Sequence, residues 1–147
     1  MAISFTHTID VPVPVERVFR VVDDPARVPE WLARCVAMEQ LTPGPVVVGT
    51  KLRYTYRDAG RQGVMDGEVV EREEGSKLVL RFADAQMVAV IGFRTEPSGS
   101  GCALTHSVDL EPRSLLPRLF APLIRRQLPK QTTAAMEELR RLVLAAG

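Results

Sequence analysis

A chain of 147 residues, 46% hydrophobic and 25% charged, is long enough to bury a core, too apolar for wholesale disorder and too charged for an obligate membrane protein. That length suits one domain, expected to take in residues 1–147. The net charge of +1 hides an asymmetry, because residues 113–147 carry seven Lys or Arg against two Asp or Glu, a local +5 that leaves −4 on residues 1–112.

Residues 2–11 alternate, with Ile3, Phe5, His7, Ile9 and Val11 on one face and Ser4, Thr6, Thr8 and Asp10 on the other, so they predict a strand with one wet side. Pro12 and Pro14 end it. Val15, Val18, Phe19 and Val22 then repeat at helical spacing, and Asp24-Pro25 is suited to N-cap and N1 of a second short helix whose apolar face is Val28, Trp31 and Leu32. Strand-like segments follow at about 34–41, 50–57, 64–72, 77–83, 86–96 and 102–111. They are separated by Pro43-Gly44-Pro45, Ala59-Gly60, Glu74-Gly75 and residues 97–101. Loops this short predict an antiparallel meander.

Residues 112–146 change period. Leu116, Leu119, Phe120, Leu123, Ile124, Leu128, Ala135, Met136, Leu139, Leu142 and Val143 recur at three- and four-residue steps, the apolar stripe of one long helix or two joined. Arg118, Arg125, Arg126, Lys130, Arg140 and Arg141 fall mostly between those steps, a basic face read as solvated. Pro129 predicts a kink, and Pro117 and Pro122 predict that residues 113–128 form a bent or separate segment ahead of a straighter helix over 129–145.

Several classes drop out. Cys35 and Cys102 have no C-x-x-C spacing or neighbouring His, so no zinc or redox site is expected. The first sixteen residues hold no Lys or Arg, unlike a secretory signal, and no apolar run is long enough for stable membrane insertion. These features predict a cytoplasmic protein. No Gly-rich phosphate loop, G-x-S-x-G or H-E-x-x-H occurs, and no aromatic residues interleave with the basic positions, so neither a cofactor nor a nucleic-acid partner is expected.

Particular residues carry a family resemblance. The run Ile9-Asp10-Val11-Pro12-Val13-Pro14-Val15-Glu16-Arg17-Val18-Phe19, then Asp24-Pro25 and Pro29-Glu30-Trp31, is similar to the opening strand and "D-P-x-x-x-P-x-W" hairpin of the START-like superfamily, also called SRPBCC or Bet v 1-like. Val69-Val70-Glu71, Phe93 with Pro97, Gly101 and Leu104-Thr105 echo its later strand signatures, with Cys102 where Thr is usual. The chain most resembles the bacterial polyketide cyclase/dehydrase-like branch. The resemblance implies an α+β helix-grip fold: a seven-stranded curved antiparallel sheet wrapped on a long C-terminal helix, with two short helices between strands 1 and 2. It also implies a cavity between sheet and helix. The residues themselves leave open a cavity or a filled core.

On that resemblance the pocket is expected to be lined by Phe5, His7, Trp31, Tyr54, Tyr56, Met65, Leu80, Met87, Ile91, Phe93, His106, Phe120, Ile124 and Leu128. His7 and His106 share the phase of apolar neighbours, so both imidazoles are expected on the inner face, either as general acid and base or as hydrogen-bonded core residues. A two-His metal site would lack a carboxylate in phase. Tyr54 and Tyr56 are expected to reach the pocket from the wall opposite the histidines or to pack as core aromatics. Trp31 is expected to pack the short helices against the sheet edge, and Asp66 and Glu68 to face water.

The leading expectation is a binder of a small hydrophobic molecule, such as a lipid, polyketide or aromatic metabolite. The alternative from another class is a polyketide aromatase/cyclase or dehydratase using His7, His106, Tyr54 and Tyr56. A third is an interaction module, with Val88 and Val90 marking a candidate homodimer surface.

Overall fold

The computed structural model describes residues 3–58 and 60–145. Ala2, Ala59 and Ala146, which entered the strand, turn and helix expectations, lie outside the described residues. β1 (Ile3–Val11) leads into α1 (Val15–Val22), a 3₁₀ turn (Pro25–Arg27) and α2 (Val28–Trp31). Six strands follow: β2 (Cys35–Gln40), β3 (Lys51–Asp58), β4 (Arg61–Glu73), β5 (Lys77–Ala83), β6 (Met87–Ser98) and β7 (Gly101–Pro112). The chain then forms α3 (Leu115–Leu119) and α4 (Ala121–Ala145).

The strands make one antiparallel seven-stranded sheet in the order β1-β7-β6-β5-β4-β3-β2. The meander from β2 to β7 is thus closed off by β1, which returns to pair with β7. Register shifts between Cys35 and Ala37 and between Val69 and Glu71 put two residues opposite one, which bends those strands and curves the sheet. This is the helix-grip arrangement expected from the sequence.

Local chemistry accounts for the joints. The Asp24 side chain accepts a hydrogen bond from the Ala26 amide at 3.1 Å, starting the 3₁₀ turn with Pro25 at its first position. Gly101 opens β7 where the end of β1 crosses closely: a Cβ there would lie 2.6 Å from the Val11 carbonyl oxygen. The β6–β7 hairpin is tighter than residues 97–101 suggested, because Pro97 still pairs with Cys102 and only the turn at Gly99 is left. Close to the strand end, the missing amide of Pro97 costs little pairing.

Between sheet and helices lies the main core, in which Val18, Leu104, Met136 and Leu139 are fully buried. Arg72 on β4 holds the end of α1 through a two-pronged pair with Asp23 at 3.0 and 2.7 Å, and its guanidinium lies over the Phe19 ring. Arg17 on α1 donates to the Val143 carbonyl near the end of α4 at 3.1 Å. The outer sheet face is polar, and Asp66 and Glu68 pair there with Arg53 and Lys51.

The C-terminal region departs from expectation. The break falls at Phe120, and α4 runs without interruption through Pro129. Pro122 sits at the second position of α4, where no intrahelical amide donor is required, so it starts the helix instead of bending it. As a result, Leu116, Leu119, Phe120 and Leu123 do not continue the apolar stripe onto the sheet; they are exposed.

Candidate functional site

Curvature of the sheet and the position of α4 leave a cavity of about 380 Å³ between them. Alternation along β5, β6 and β7 puts Leu80, Phe82, Ala89, Ile91, Phe93, His106 and Val108 on its floor. Tyr54 and Tyr56 of β3 and Met65 of β4 form one wall. Ile124, Leu128, Gln131 and Ala135, spaced by four, three and four residues along α4, form the roof. Val22, Val28 and Trp31 from the short helices are buried on its lining. Three lining residues are also solvent-exposed, Asp58, Gln86 and Gln127, and they mark where the cavity opens.

Of the residues expected at the pocket, Trp31, Tyr54, Tyr56, Met65, Leu80 and Met87 line the cavity, as do Ile91, Phe93, His106, Ile124 and Leu128. Phe5, His7 and Phe120 are not on its lining. The correction has a physical cause. β1 is an edge strand lying beneath α4, and Ile3, Val108, Ala121 and Leu128 close that end of the concave face with Phe5 packed against them. His7 and His106 are directly opposite in register, and each ring has its own stacking partner: His7 lies on Phe5 at 6.1 Å and His106 on Phe93 at 4.7 Å. Phe120 follows the short α3 and is 52% exposed. The helix that carries Trp31 lies against the edge strand β2, as expected, and the indole also reaches inward to meet Phe93 edge-on at 5.9 Å.

The polar chemistry of the lining is sparse and specific. Among the described residues, three buried side-chain nitrogens have no protein hydrogen-bond partner: Trp31 Nε1, Arg34 Nε and His106 Nδ1. All three belong to side chains that line this cavity. Buried polar atoms are ordinarily satisfied, and leaving one unmade costs about 1–3 kcal/mol, so three such side chains around one cavity single it out as the candidate site. Burial, with a smaller contribution from His7, pushes the His106 imidazole down to about 4, which keeps it neutral at physiological pH. One ring nitrogen then carries a proton and the other accepts.

On the opposite wall, burial pushes the Tyr54 hydroxyl up to about 12, against the nearby Arg34 charge, and burial likewise raises Tyr56. Both remain protonated donors at neutral pH. The two rings lie 5.5 Å apart, and Tyr54 also meets Phe82 at 5.8 Å. Gly63 makes room for Tyr56, whose ring would come within 2.4 Å of a Cβ at that position. Burial also raises the thiols of Cys35, to about 11, and Cys102, so neither is an activated nucleophile.

Arg34, in the short link between α2 and β2, is the functional candidate that periodicity missed. It donates to Gln131 on α4 at 3.1 Å and to Asp58 at the end of β3 at 3.1 Å, tying helix to sheet beside the opening. A lone Arg between a helix and a strand carries no sequence signal of this role, which depends on three distant segments converging. Among the described residues, no group of three His, Cys, Asp or Glu side chains is placed to hold a metal ion, and no helix is long and apolar enough to cross a membrane.

Comparison with known proteins agrees with this architecture. No curated protein matches the sequence. Among solved structures, the Zhui aromatase/cyclase from Streptomyces sp. R1128 superposes with a TM-score of 0.83 at 13% identity, covering 97% of this chain and 94% of that one. A protein from Thermus thermophilus gives 0.82 at 17% identity, covering 98% and 99%. A START superfamily protein from Mycobacterium smegmatis gives 0.81 at 17% identity, with the same coverages. Identities this low establish a shared fold. The model of the family described as polyketide cyclase/dehydrase and lipid transport matches residues 2–144. With the family model matching almost all of its length, the chain belongs to that family.

Proposed function

We propose that this protein binds a small, mainly apolar molecule bearing oxygen acceptors, such as a lipid, polyketide or aromatic metabolite, in the cavity between the sheet and α4. One observation carries the reading: a mainly apolar cavity of about 380 Å³ is lined by the three side chains whose buried nitrogens lack protein partners. The volume lies in the ordinary range for a small-molecule site, and the ratio of many apolar to few polar groups is typical of one. Indole and guanidinium N–H groups only donate, so the matching ligand atoms are carbonyl, hydroxyl or carboxylate oxygens. The free, buried thiols of Cys35 and Cys102 support a reducing, cytoplasmic setting, and we read all 147 residues as one domain.

Native mass spectrometry against a panel of fatty acids, aromatic ketones and polyphenols tests the proposal. A one-to-one complex lost on Ala89→Trp, which fills the cavity floor, is expected. Failure of the whole panel, or binding untouched by that substitution, contradicts it.

A second reading, a polyketide aromatase/cyclase or dehydratase, is favoured by a neutral His106 facing Tyr54 and Tyr56 across the cavity and by the fold shared with the Zhui aromatase/cyclase. Here the His106 imidazole would move a proton while the tyrosine hydroxyls hold the keto chain. His106→Ala is then expected to lower turnover of a poly-β-keto substrate by about 10²-fold or more. Unchanged turnover rules out this role for His106.

A further inference from the structure

Leu115, Leu116, Leu119, Phe120 and Leu123 are 70%, 56%, 66%, 52% and 47% exposed, five large apolar side chains within nine residues of α3 and the start of α4. Isolated exposed leucines need no explanation, but a run of this kind marks an interaction surface. The same segment is strongly cationic. Residues 112–136 contain Arg113, Arg118, Arg125, Arg126 and Lys130 and not one Asp or Glu. On α4, Leu123, Arg126 and Lys130 recur at i, i+3 and i+7, and all three are exposed on the face turned from the sheet.

The surface is fixed beside the cavity opening. The Arg113 amide donates to the Gln86 carbonyl at 2.8 Å and its guanidinium to the Asp84 carbonyl at 3.1 Å, while the Ser114 hydroxyl donates to the Gln86 side chain. Asp84 and Gln86 line the cavity, and Ile124, next to Leu123, is in its roof. Apolar side chains, cations and the opening therefore share one end of the molecule.

We propose that this end docks on an anionic lipid bilayer, with Leu115, Leu116, Leu119, Phe120 and Leu123 entering the interface and Arg118, Arg126 and Lys130 meeting the headgroups. Charge complementarity selects this occupant. A second copy apposed through the same patch would set cations against cations with no acid in the segment to pair with them. A nucleic acid would gain nothing from exposed leucines and finds only one aromatic ring, Phe120, in the patch. An interfacial membrane segment combines the features seen here, namely apolar groups at the acyl boundary and Lys or Arg at anionic headgroups. Docking does not depend on what the cavity holds; if the cavity holds a lipid-soluble molecule, it would open toward the membrane in which that molecule dissolves.

Flotation of the full chain with phosphatidylcholine vesicles, with and without phosphatidylglycerol, tests the proposal. Binding is expected to be at least about tenfold stronger to the anionic vesicles and to weaken as salt is raised. Leu119→Asp combined with Phe120→Ser is expected to abolish binding, and Arg118→Gln with Arg126→Gln and Lys130→Gln to weaken it, each variant keeping the wild-type circular dichroism spectrum because the sites are exposed. No binding to anionic vesicles overturns the proposal, as does equal binding to neutral ones or wild-type binding by the variant carrying Leu119→Asp and Phe120→Ser. A lipid-free dimer that those same two substitutions dissociate would assign the surface to self-association and overturn it too.

Discussion

His106 shows how one residue links stability to function. Its imidazole is pushed down to about 4 by burial, against an ordinary value of 6.5. Between those values the unfolded chain binds a proton that the folded chain refuses, so stability rises with pH through this window. The stabilisation is fully present above pH 6.5 and is lost as the pH falls toward 4, by about 3 kcal/mol if the entire shift is expressed. Urea unfolding of wild type and His106→Phe at pH 7.5 and 4.5 checks this: the stability difference between the two proteins should move by about 2–3 kcal/mol in favour of the variant at the lower pH. An unchanged difference would mean that His106 is not held neutral by the fold. The inward position of His106 was legible from its phase with Leu104 and Val108, and so were those of Tyr54, Met65 and Ile91 on their own strands. Period-2 alternation reports which face a side chain takes, but it does not report which part of that face a helix covers. For that reason His7, in phase and opposite His106 in register, lies off the cavity, and Arg34, outside any periodic run, lies on it.

Among the elements, α4 departs most from what its sequence suggested. Proline inside a helix removes an amide donor and crowds the preceding turn, so Pro129 and its neighbours Pro117 and Pro122 suggested a bent segment ahead of residue 129. The helix spans Ala121–Ala145 unbroken, with Leu128, Thr132, Ala135, Met136 and Leu139 held in the core on both sides of the proline. Tertiary packing outweighs a local defect that is ordinarily worth about 3 kcal/mol. Pro129→Ala should therefore stabilise the protein by roughly 1–3 kcal/mol and raise Tm by several degrees without changing helix content. A fall in Tm would indicate that the proline shapes a bend the packing requires. The break at Phe120 was less legible, since Leu116, Leu119, Phe120 and Leu123 satisfy the helical period together with Ile124 and Leu128. Spacing alone cannot tell an apolar stripe that finds a sheet from one that faces water. The strand segments were read to within a few residues because each is bounded by turn chemistry, as at Gly75 and Gly99, which both take positive φ.

At the scale of the whole molecule, strand order decides what the cavity can do. Since β1 pairs with β7 while β2 ends the other edge, His106 and the pair Tyr54 and Tyr56 stand on strands separated by β4, β5 and β6. A molecule spanning the floor would meet hydrogen-bonding groups at both ends and apolar side chains between them. The floor includes Phe93, which stacks on His106 and meets Trp31 edge-on, so a ligand at this point would lie beside the chain's single tryptophan. A ligand of the proposed kind would supply an oxygen acceptor to the Trp31 indole N–H, which lacks a protein partner. The most direct measurement is the NMR resonance of the Trp31 indole N–H during titration with an aromatic ketone or polyphenol found to bind. A downfield shift of that proton is expected, saturating with the binding isotherm and absent in Ala89→Trp followed at the Trp31 signal. Saturable binding that leaves the Trp31 N–H where it stands in the free protein would contradict it.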